Sequence, residues 1–316
     1  MIPRELATRF ELLDPLSGGS ATRMGVWRVH DLHDGQVKVL KCAAAPTLAP
    51  EPLLQHLRAL PAADSHFVVP TEHGTVGDIG WSLTPWYGER AGTLGAALQR
   101  GEWGAIGHEV VRALCRTLAL LHEPAPSTHL WVLHGDVKPA NVLLVPEPGG
   151  STRVLLADFD GAILVAGNPI HQRLARYTTR QAAPEVLSGA PLTPAADWWS
   201  FGMLVAEAVL GQHPLEGLSE PALRSQLAGD WPFGLNWGTD AGWRALLGGL
   251  LHRDDLSRWG AGMVERWLVH DPMAWAEGLR FAGETASAEP FHVAGTPVFT
   301  ARDLARAALQ HWQVIR

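Results

Sequence analysis

The stretch His134-Gly135-Asp136-Val137-Lys138-Pro139-Ala140-Asn141 most limits what this chain can become. A carboxylate, an ammonium and a carboxamide share one short loop, which Gly135 and Pro139 suit to tight turning. An apolar run, Val142 to Val145, follows at once. A lone Asp or Asn in a loop is usually a turn former. Here the three groups are followed by a second acidic stretch, Asp158-Phe159-Asp160-Gly161. Together they are the set needed to take a proton from a hydroxyl, offset phosphoryl charge and hold a metal ion.

The chain of 316 residues is 47% hydrophobic, enough to bury a large core in one bilobal unit or two small ones. Its net charge of −7, with no basic block, argues against nucleic acid as a partner. Cys42 and Cys115 are too few for a disulfide framework or a Cys-rich metal site, which fits a reducing cytosol. The N-terminus lacks a signal-peptide core, and no apolar stretch approaches a membrane span. A cytoplasmic protein with no membrane partner is the expectation.

Alternating and β-branched patterns predict strands at Phe10–Leu16, Met24–Leu32, Gln36–Cys42, Val68–His73 and Trp81–Trp86, with Asp34-Gly35 as a hairpin turn. Between the first two strands, Gly18 and Gly19 would let backbone N–H groups approach phosphate oxygens, although an ordinary polar hairpin loop fits the same residues. Pro50 to Leu60 reads as a short helix with Pro52 in its first turn. Ile106 to His122 is a strongly periodic helix with a core face of Val110, Val111, Leu114, Leu118 and Leu121. His122 and His129 read as structural or solvated. Pro290 to Phe299 reads as a hairpin, and Thr300 caps a helix to about Gln310.

Four motifs carry a resemblance: the loop at 134–141, Asp158-Phe159-Asp160-Gly161, Ala182-Ala183-Pro184-Glu185, and Asp197-Trp198-Trp199-Ser200-Phe201-Gly202. They resemble the eukaryote-like Ser/Thr protein kinases of bacteria, over roughly residues 8 to 270. The resemblance implies an α+β, bilobal protein-kinase-like fold, with a small antiparallel β-sheet and one helix in the N-lobe and a mainly α-helical C-lobe. The implied domains are 1–87 (N-lobe), 88–270 (C-lobe) and 271–316 (a C-terminal extension, read either as packing on the C-lobe or as a docking element). It also implies ATP and Mg²⁺, or Mn²⁺, as cofactors and a protein substrate with a Ser/Thr acceptor.

Residue by residue, Asp136 would orient or deprotonate the acceptor and Lys138 would meet the γ-phosphoryl charge, while Asn141 and Asp158 would hold metal. Gly18 and Gly19 would cover phosphates. Lys41, preferred over Lys38, would hold the α- and β-phosphates. Pro85 and Tyr87 would lie at the hinge against adenine, Pro85 through its carbonyl only. Thr178 would contact Asp136 and Lys138. Glu185 would pair with Arg258 in an internal brace, and Asp197 would bond the catalytic-loop backbone.

The departures are as informative. Ser17 and Thr22 replace two glycines of the phosphate loop. The alignment puts Leu53 where a helix glutamate partners the lysine, leaving Glu51 as the nearest carboxylate and Gln55 as the next polar group. An acid at a helix start is equally expected from the macrodipole. Gly135 replaces an arginine that clamps phosphorylated activation loops, so activity is expected not to depend on loop phosphorylation. Asp160 replaces a glycine. An active protein kinase, a pseudokinase scaffold and a small-molecule phosphotransferase of the aminoglycoside-kinase type all remain open.

Overall fold

The computed structural model describes residues 2–17, 24–167, 170, 174, 176–229 and 241–269, together with the backbone of 291–293 and 296–298. Gly18, Gly19 and the expected helix from Ala301 lie outside the described residues. A short helix α1 (Arg4–Ala7) leads into β1 (Phe10–Ser17), β2 (Gly25–Asp31) and β3 (Gln36–Ala44). Helices α2 (Glu51–Ala59) and α3 (Ala63–His66) precede β4 (Glu72–Val76) and β5 (Ile79–Pro85). The five strands form one antiparallel sheet in the order β1-β2-β3-β5-β4. Gly35 takes a φ of +70° in the β2–β3 turn, where Asp34 accepts the Gln36 N–H.

The fourth strand is displaced from the expected Val68–His73. Val68 gives its N–H to the Leu156 carbonyl at 2.9 Å, and Phe67 bridges to Leu156 in parallel, so this stretch joins the second lobe instead. Pro70 adds no N–H to any ladder. A small core beneath the sheet collects Phe10, Trp27, Val29, Leu40 and Leu83 with Leu6 of α1. Fully buried Asp31 is clamped there by Arg9 at 2.7 Å and Lys38 at 2.8 Å.

The second lobe begins with β6 (Gly92–Thr93), α4 (Leu94–Gln99) and the long α5 (Trp103–His122). Thr93 caps α4 by accepting the Ala96 N–H. Strands β7 (Leu130–Leu133), β8 (Val142–Pro146), β9 (Thr152–Leu156) and β10 (Ile163–Ala166) form small sheets, β6-β8-β9 and β10-β7, that present the intervening loops to the cleft. Then follow α6 (Pro184–Ser188), α7 (Ala195–Leu210), α8 (Glu220–Ala228), α9 (Ala241–Leu250) and α10 (Ala261–Val269). Strands β11 (Phe291–Val293) and β12 (Thr296–Val298) pair antiparallel as the hairpin expected there.

Helix α7 is buried almost all round, which suits a helix at the middle of a core rather than at its surface. It packs so closely that a Cβ on Gly202 would stand 2.8 Å from Leu251 Cδ2 and 2.9 Å from Leu250 Cβ. Trp198, Trp199, Trp259 and Trp267 all contribute to this core. No helix among the described residues is long and apolar enough to cross a membrane.

This packing sets a stability expectation. Leu118 on α5 is fully buried, whereas Leu13 on β1 is 42% exposed. Leu118→Ala should cost about 2–5 kcal/mol through lost burial and a cavity. Leu13→Ala should stay within about 0.5 kcal/mol. Urea denaturation of both variants checks the pair.

Candidate active site

The loop between β7 and β8 owes its shape to one buried carboxylate. Asp197, at the start of α7, accepts the N–H of Gly135 at 2.7 Å and of His134 at 2.8 Å, and His122 Nε2 donates to it at 2.9 Å. Burial would push this carboxyl up, but the hydrogen bond and charge of His122 and the Gly135 N–H hold it below the ordinary range. His134 is itself fixed: its Nδ1 accepts the Asp136 N–H at 3.2 Å and its Nε2 meets the Ala157 carbonyl at 3.1 Å, which puts the ring proton on Nε2.

On this frame Asp136, Lys138, Asn141 and Thr178 converge. Asp136 Oδ1 accepts the Thr178 hydroxyl at 2.7 Å and its N–H at 3.0 Å. Asp136 Oδ2 accepts Lys138 Nζ at 2.6 Å, and the same ammonium donates to Thr178 Oγ1 at 2.9 Å. Asn141 gives its Nδ2 to the Asp136 carbonyl at 2.9 Å, which leaves the amide oxygen as its remaining polar atom.

Asp158 has a φ of +66°, a left-handed backbone that costs about 1 kcal/mol for a residue with a Cβ. The following Phe159 is buried edge-on to His134 (4.8 Å between ring centres) and to Phe67 (5.7 Å), and this packing holds the turn. Asp158 Oδ1 reaches Lys41 Nζ at 2.6 Å, and Asp160 Oδ2 reaches it at 2.8 Å. Burial works against the Lys41 charge, but the two carboxylates outweigh it, so its pKa stands above the ordinary lysine value. Burial likewise opposes the charge on Asp158, and Lys41 prevails in holding that carboxyl low.

Glu51 does not join this group. It opens α2 on the outer side, where Pro52 fixes the helix start, and its carboxylate meets His73 at 2.5 Å and Arg58 at 3.4 Å. Gln55 donates to Glu51 rather than to the cleft. The α2 residue lining the same cavity as Lys41 is Leu54, one position beyond the residue that alignment points to, while Leu53 is sealed in the core. Lys38, the other candidate lysine, is engaged by Asp31 and Asp34 away from the site.

A cavity of about 550 Å³ between the lobes is lined by Lys41, Lys138, Asn141, Asp158 and Asp160 at one end. Its continuation, about 220 Å³, is walled by Val39, Leu143, Thr84, Pro85, Trp86 and Tyr87. A polar, charged end beside an apolar slot matches the two halves of a nucleotide. Among the described residues no group of three or more His, Cys, Asp or Glu is arranged to hold a metal alone. Asn141 and Asp158 supply hard oxygen donors in the cavity. They fit Mg²⁺, which commonly uses one or two carboxylates plus substrate phosphates.

Glu185 and Arg258 form a bidentate pair at 2.5 and 3.1 Å, with the guanidinium 5.1 Å from the Trp199 ring centre. Gly135 has a φ of +76°, and a Cβ there would stand 2.5 Å from Leu174 Cδ2. Leu174, within the stretch Asp158 to Glu185 that corresponds by resemblance to a kinase activation segment, therefore fills the space beside the 134–141 loop, the catalytic loop of that resemblance. Sequence reasoning missed this contact, because an isolated leucine in a loop carries no pattern.

The profile of the protein kinase domain family matches residues 99–267, just over half of the chain. The chain belongs to the protein kinase domain family. Its kinase domain is 43% identical over 105 residues to protein kinase gsk3 of Schizosaccharomyces pombe, covering 32% of this chain and 24% of that protein. It is 30% identical over 122 residues to human ribosomal protein S6 kinase alpha-4, covering 38% of this chain and 15% of that protein. It is also 36% identical over 126 residues to the Arabidopsis thaliana LRR receptor-like serine/threonine-protein kinase RGI3, covering 36% of this chain and 11% of that protein. The matched part of the kinase domain thus spans less than a quarter of these relatives' lengths. Its N-terminal hundred residues lie ahead of the profile match and carry their kinase character in the five-stranded sheet.

The pKa of Asp197 in the fold lies below its unfolded value, so its stabilisation is complete above the unfolded value, about pH 4, and is lost as pH falls through the folded one. Asp197→Ala should cost about 3–5 kcal/mol at neutral pH. It should also flatten the acid limb of stability, as read by urea titrations across a pH series.

Proposed function

We propose that this protein is an active kinase that transfers the γ-phosphoryl group of ATP to serine or threonine of a protein substrate. The observation that carries this reading is the triangle of Asp136, Lys138 and Thr178, in which three hydrogen bonds of 2.7 to 3.0 Å join Thr178 to Asp136 and Lys138 of the 134–141 loop. The acceptor oxygen attacks the γ-phosphorus as the bond to ADP breaks, and Asp136 orients the hydroxyl and takes its proton. Lys138 faces the charge on the transferring group. Lys41 meets the α- and β-phosphates, and the slot beside Pro85 and Tyr87 takes the base. Asn141 and Asp158 would hold Mg²⁺ or Mn²⁺, which when bound offsets phosphate charge.

The Thr178–Ala183 stretch supports a peptide rather than a small-molecule acceptor. It lies against α7, where Ser200 Oγ donates to the Gln181 carbonyl at 2.9 Å, and it leads directly into the braced Glu185. One observation favours the pseudokinase alternative: α2 turns Leu54, and no carboxylate, toward Lys41. Nucleotide binding without transfer is what that alternative requires. Residues 1–87 and 88–270 serve as the two lobes in this reading, and residues 271–316 as an appended docking element.

Gly135 and Leu174 support independence from loop phosphorylation. With glycine rather than arginine at 135, an apolar contact stands beside the loop there. The wild-type protein should label a generic basic protein with ATP and Mg²⁺, and Asp136→Ala should lower turnover about 10²–10⁴-fold. Nucleotide binding with no transfer by the wild type would replace this reading with the scaffold. Phosphatase treatment should leave activity unchanged. Gly135→Arg should destabilise the domain by about 2 kcal/mol or more, from left-handed strain and displacement of Leu174, with loss of the transition midpoint on heating as the measurement.

A further inference from the structure

Lys41 is the cation that the five-stranded sheet contributes to the cleft, yet no carboxylate of α2 reaches it. Glu51 is turned outward to His73 and Arg58, and Leu54 stands on the cleft side of the helix. Both carboxylates on Lys41 come from the other lobe, at Asp158 and Asp160. In the proposed reaction Asp158 is needed by the metal, and a lysine held by Asp158 alone would lose its register as the site loads.

We propose that Asp160 is the positioning residue for Lys41, holding the ammonium in place when Asp158 turns to the metal. This rests on the reading of the cleft as a nucleotide site. The two oxygens of Asp160 have separate partners. Oδ1 accepts the Ala49 N–H at 3.1 Å, just ahead of α2, and Oδ2 lies 2.8 Å from Lys41 Nζ as an ion pair without hydrogen-bond alignment. A carboxylate bonded at one oxygen by backbone cannot swing freely, so the other oxygen keeps its charge beside the ammonium. Its side chain is 11% exposed against 37% for Asp158, which makes Asp158 the carboxylate open to the cleft and Asp160 the one built into its wall.

The backbone accepts this side chain without strain. Residue 160 sits within the 3₁₀ turn Phe159–Gly161 and is absent from the left-handed positions, so nothing there requires glycine. Arg176 lies 4.0 Å from Asp160 Oδ2 and donates to the Thr47 carbonyl at 3.3 Å, adding a second cation and a second tie to the segment before α2. The register of Lys41 therefore follows the Phe159–Gly161 turn rather than the rotation of α2.

The test uses the full chain as wild type, Asp160→Asn, Glu51→Gln, Lys41→Met, and the double variant Asp160→Asn with Lys41→Met. Calorimetric titration with ATP at several Mg²⁺ concentrations is the first readout. Asp160→Asn keeps an acceptor for Ala49 but removes the charge, and should weaken ATP affinity on the order of tenfold. Glu51→Gln should fall within about twofold of wild type, since its partners lie outside the cleft. The double variant should match Lys41→Met alone, because Asp160 acts through the lysine. The Mg²⁺ requirement should not move; a raised requirement would make Asp160 a metal ligand and overturn the proposal. Independent, additive losses from Asp160→Asn and Lys41→Met would also overturn it. Urea unfolding of the same variants without nucleotide gives a second cycle. If the wild type binds no ATP, the nucleotide reading fails, while this cycle still decides the pair: non-additive losses support it and additive losses refute it.

Discussion

A single ionised carboxylate buried between α7 and the catalytic loop sets the geometry of everything that can react. Asp197 is fully enclosed, and a bare charge in that position would be untenable. It is tolerated because three donors converge on it: two backbone N–H groups of adjacent residues and one imidazole. Adjacent N–H groups can both point at one carboxylate only if the chain curls around it, and Gly135 permits the curl with its left-handed φ. The curl in turn places Asp136 with its N–H on His134 and its side chain toward Lys138 and Thr178. A structural acid thus dictates the position of the acid proposed to be catalytic.

The activation segment is held to this frame by two kinds of force. Near its start, packing dominates: Phe159 is buried against His134 and Phe67, and Leu174 fills the space left by Gly135. Near its end, charge dominates: Glu185 and Arg258 form a forked pair, and the guanidinium has further acceptors at the His252 and Ala195 carbonyls. With every donor matched, burying this pair is tolerable. An apolar contact such as that of Leu174 needs no modification to form, in keeping with the proposed independence from loop phosphorylation.

Much of this was legible before any coordinates. The polar groups in fixed order at 134–141, at 158 and at 197 carry the resemblance to protein kinases, and that resemblance implied the fold. It implied the Glu185–Arg258 brace as well. The α2 region was not legible. Helix periodicity shows that Leu53, Leu54 and Leu57 face inward, but one residue is about 100° of helix turn, and only packing decides which leucine lines the cleft. The expected strand at Val68–His73 failed on the same ground, because Val68 found its acceptor in Leu156 of the other lobe. The partners of Lys41 were hidden by distance: Lys41 and Asp158 lie 117 positions apart, and no period in the chain connects them.

Those partners change what closes the cleft. Lys41 belongs to the sheet of the first lobe and Asp158 and Asp160 to the second, so the ion pairs cross the gap that a nucleotide would fill. Ala49 to Asp160 and Arg176 to Thr47 cross it nearby. Without nucleotide, the one lysine is shared between the two acids, and their attraction joins the lobes. In the proposed reading a nucleotide would bring phosphates for the lysine, and its metal would draw on Asp158. Each group would then meet an opposite charge in the loaded site as in the empty one, so entry need not strand any of them in a half-buried site. The bonds from Ala49 to Asp160 and from Arg176 to the Thr47 carbonyl owe nothing to either visitor, and they keep links across the lobes unchanged while the charges around them are exchanged.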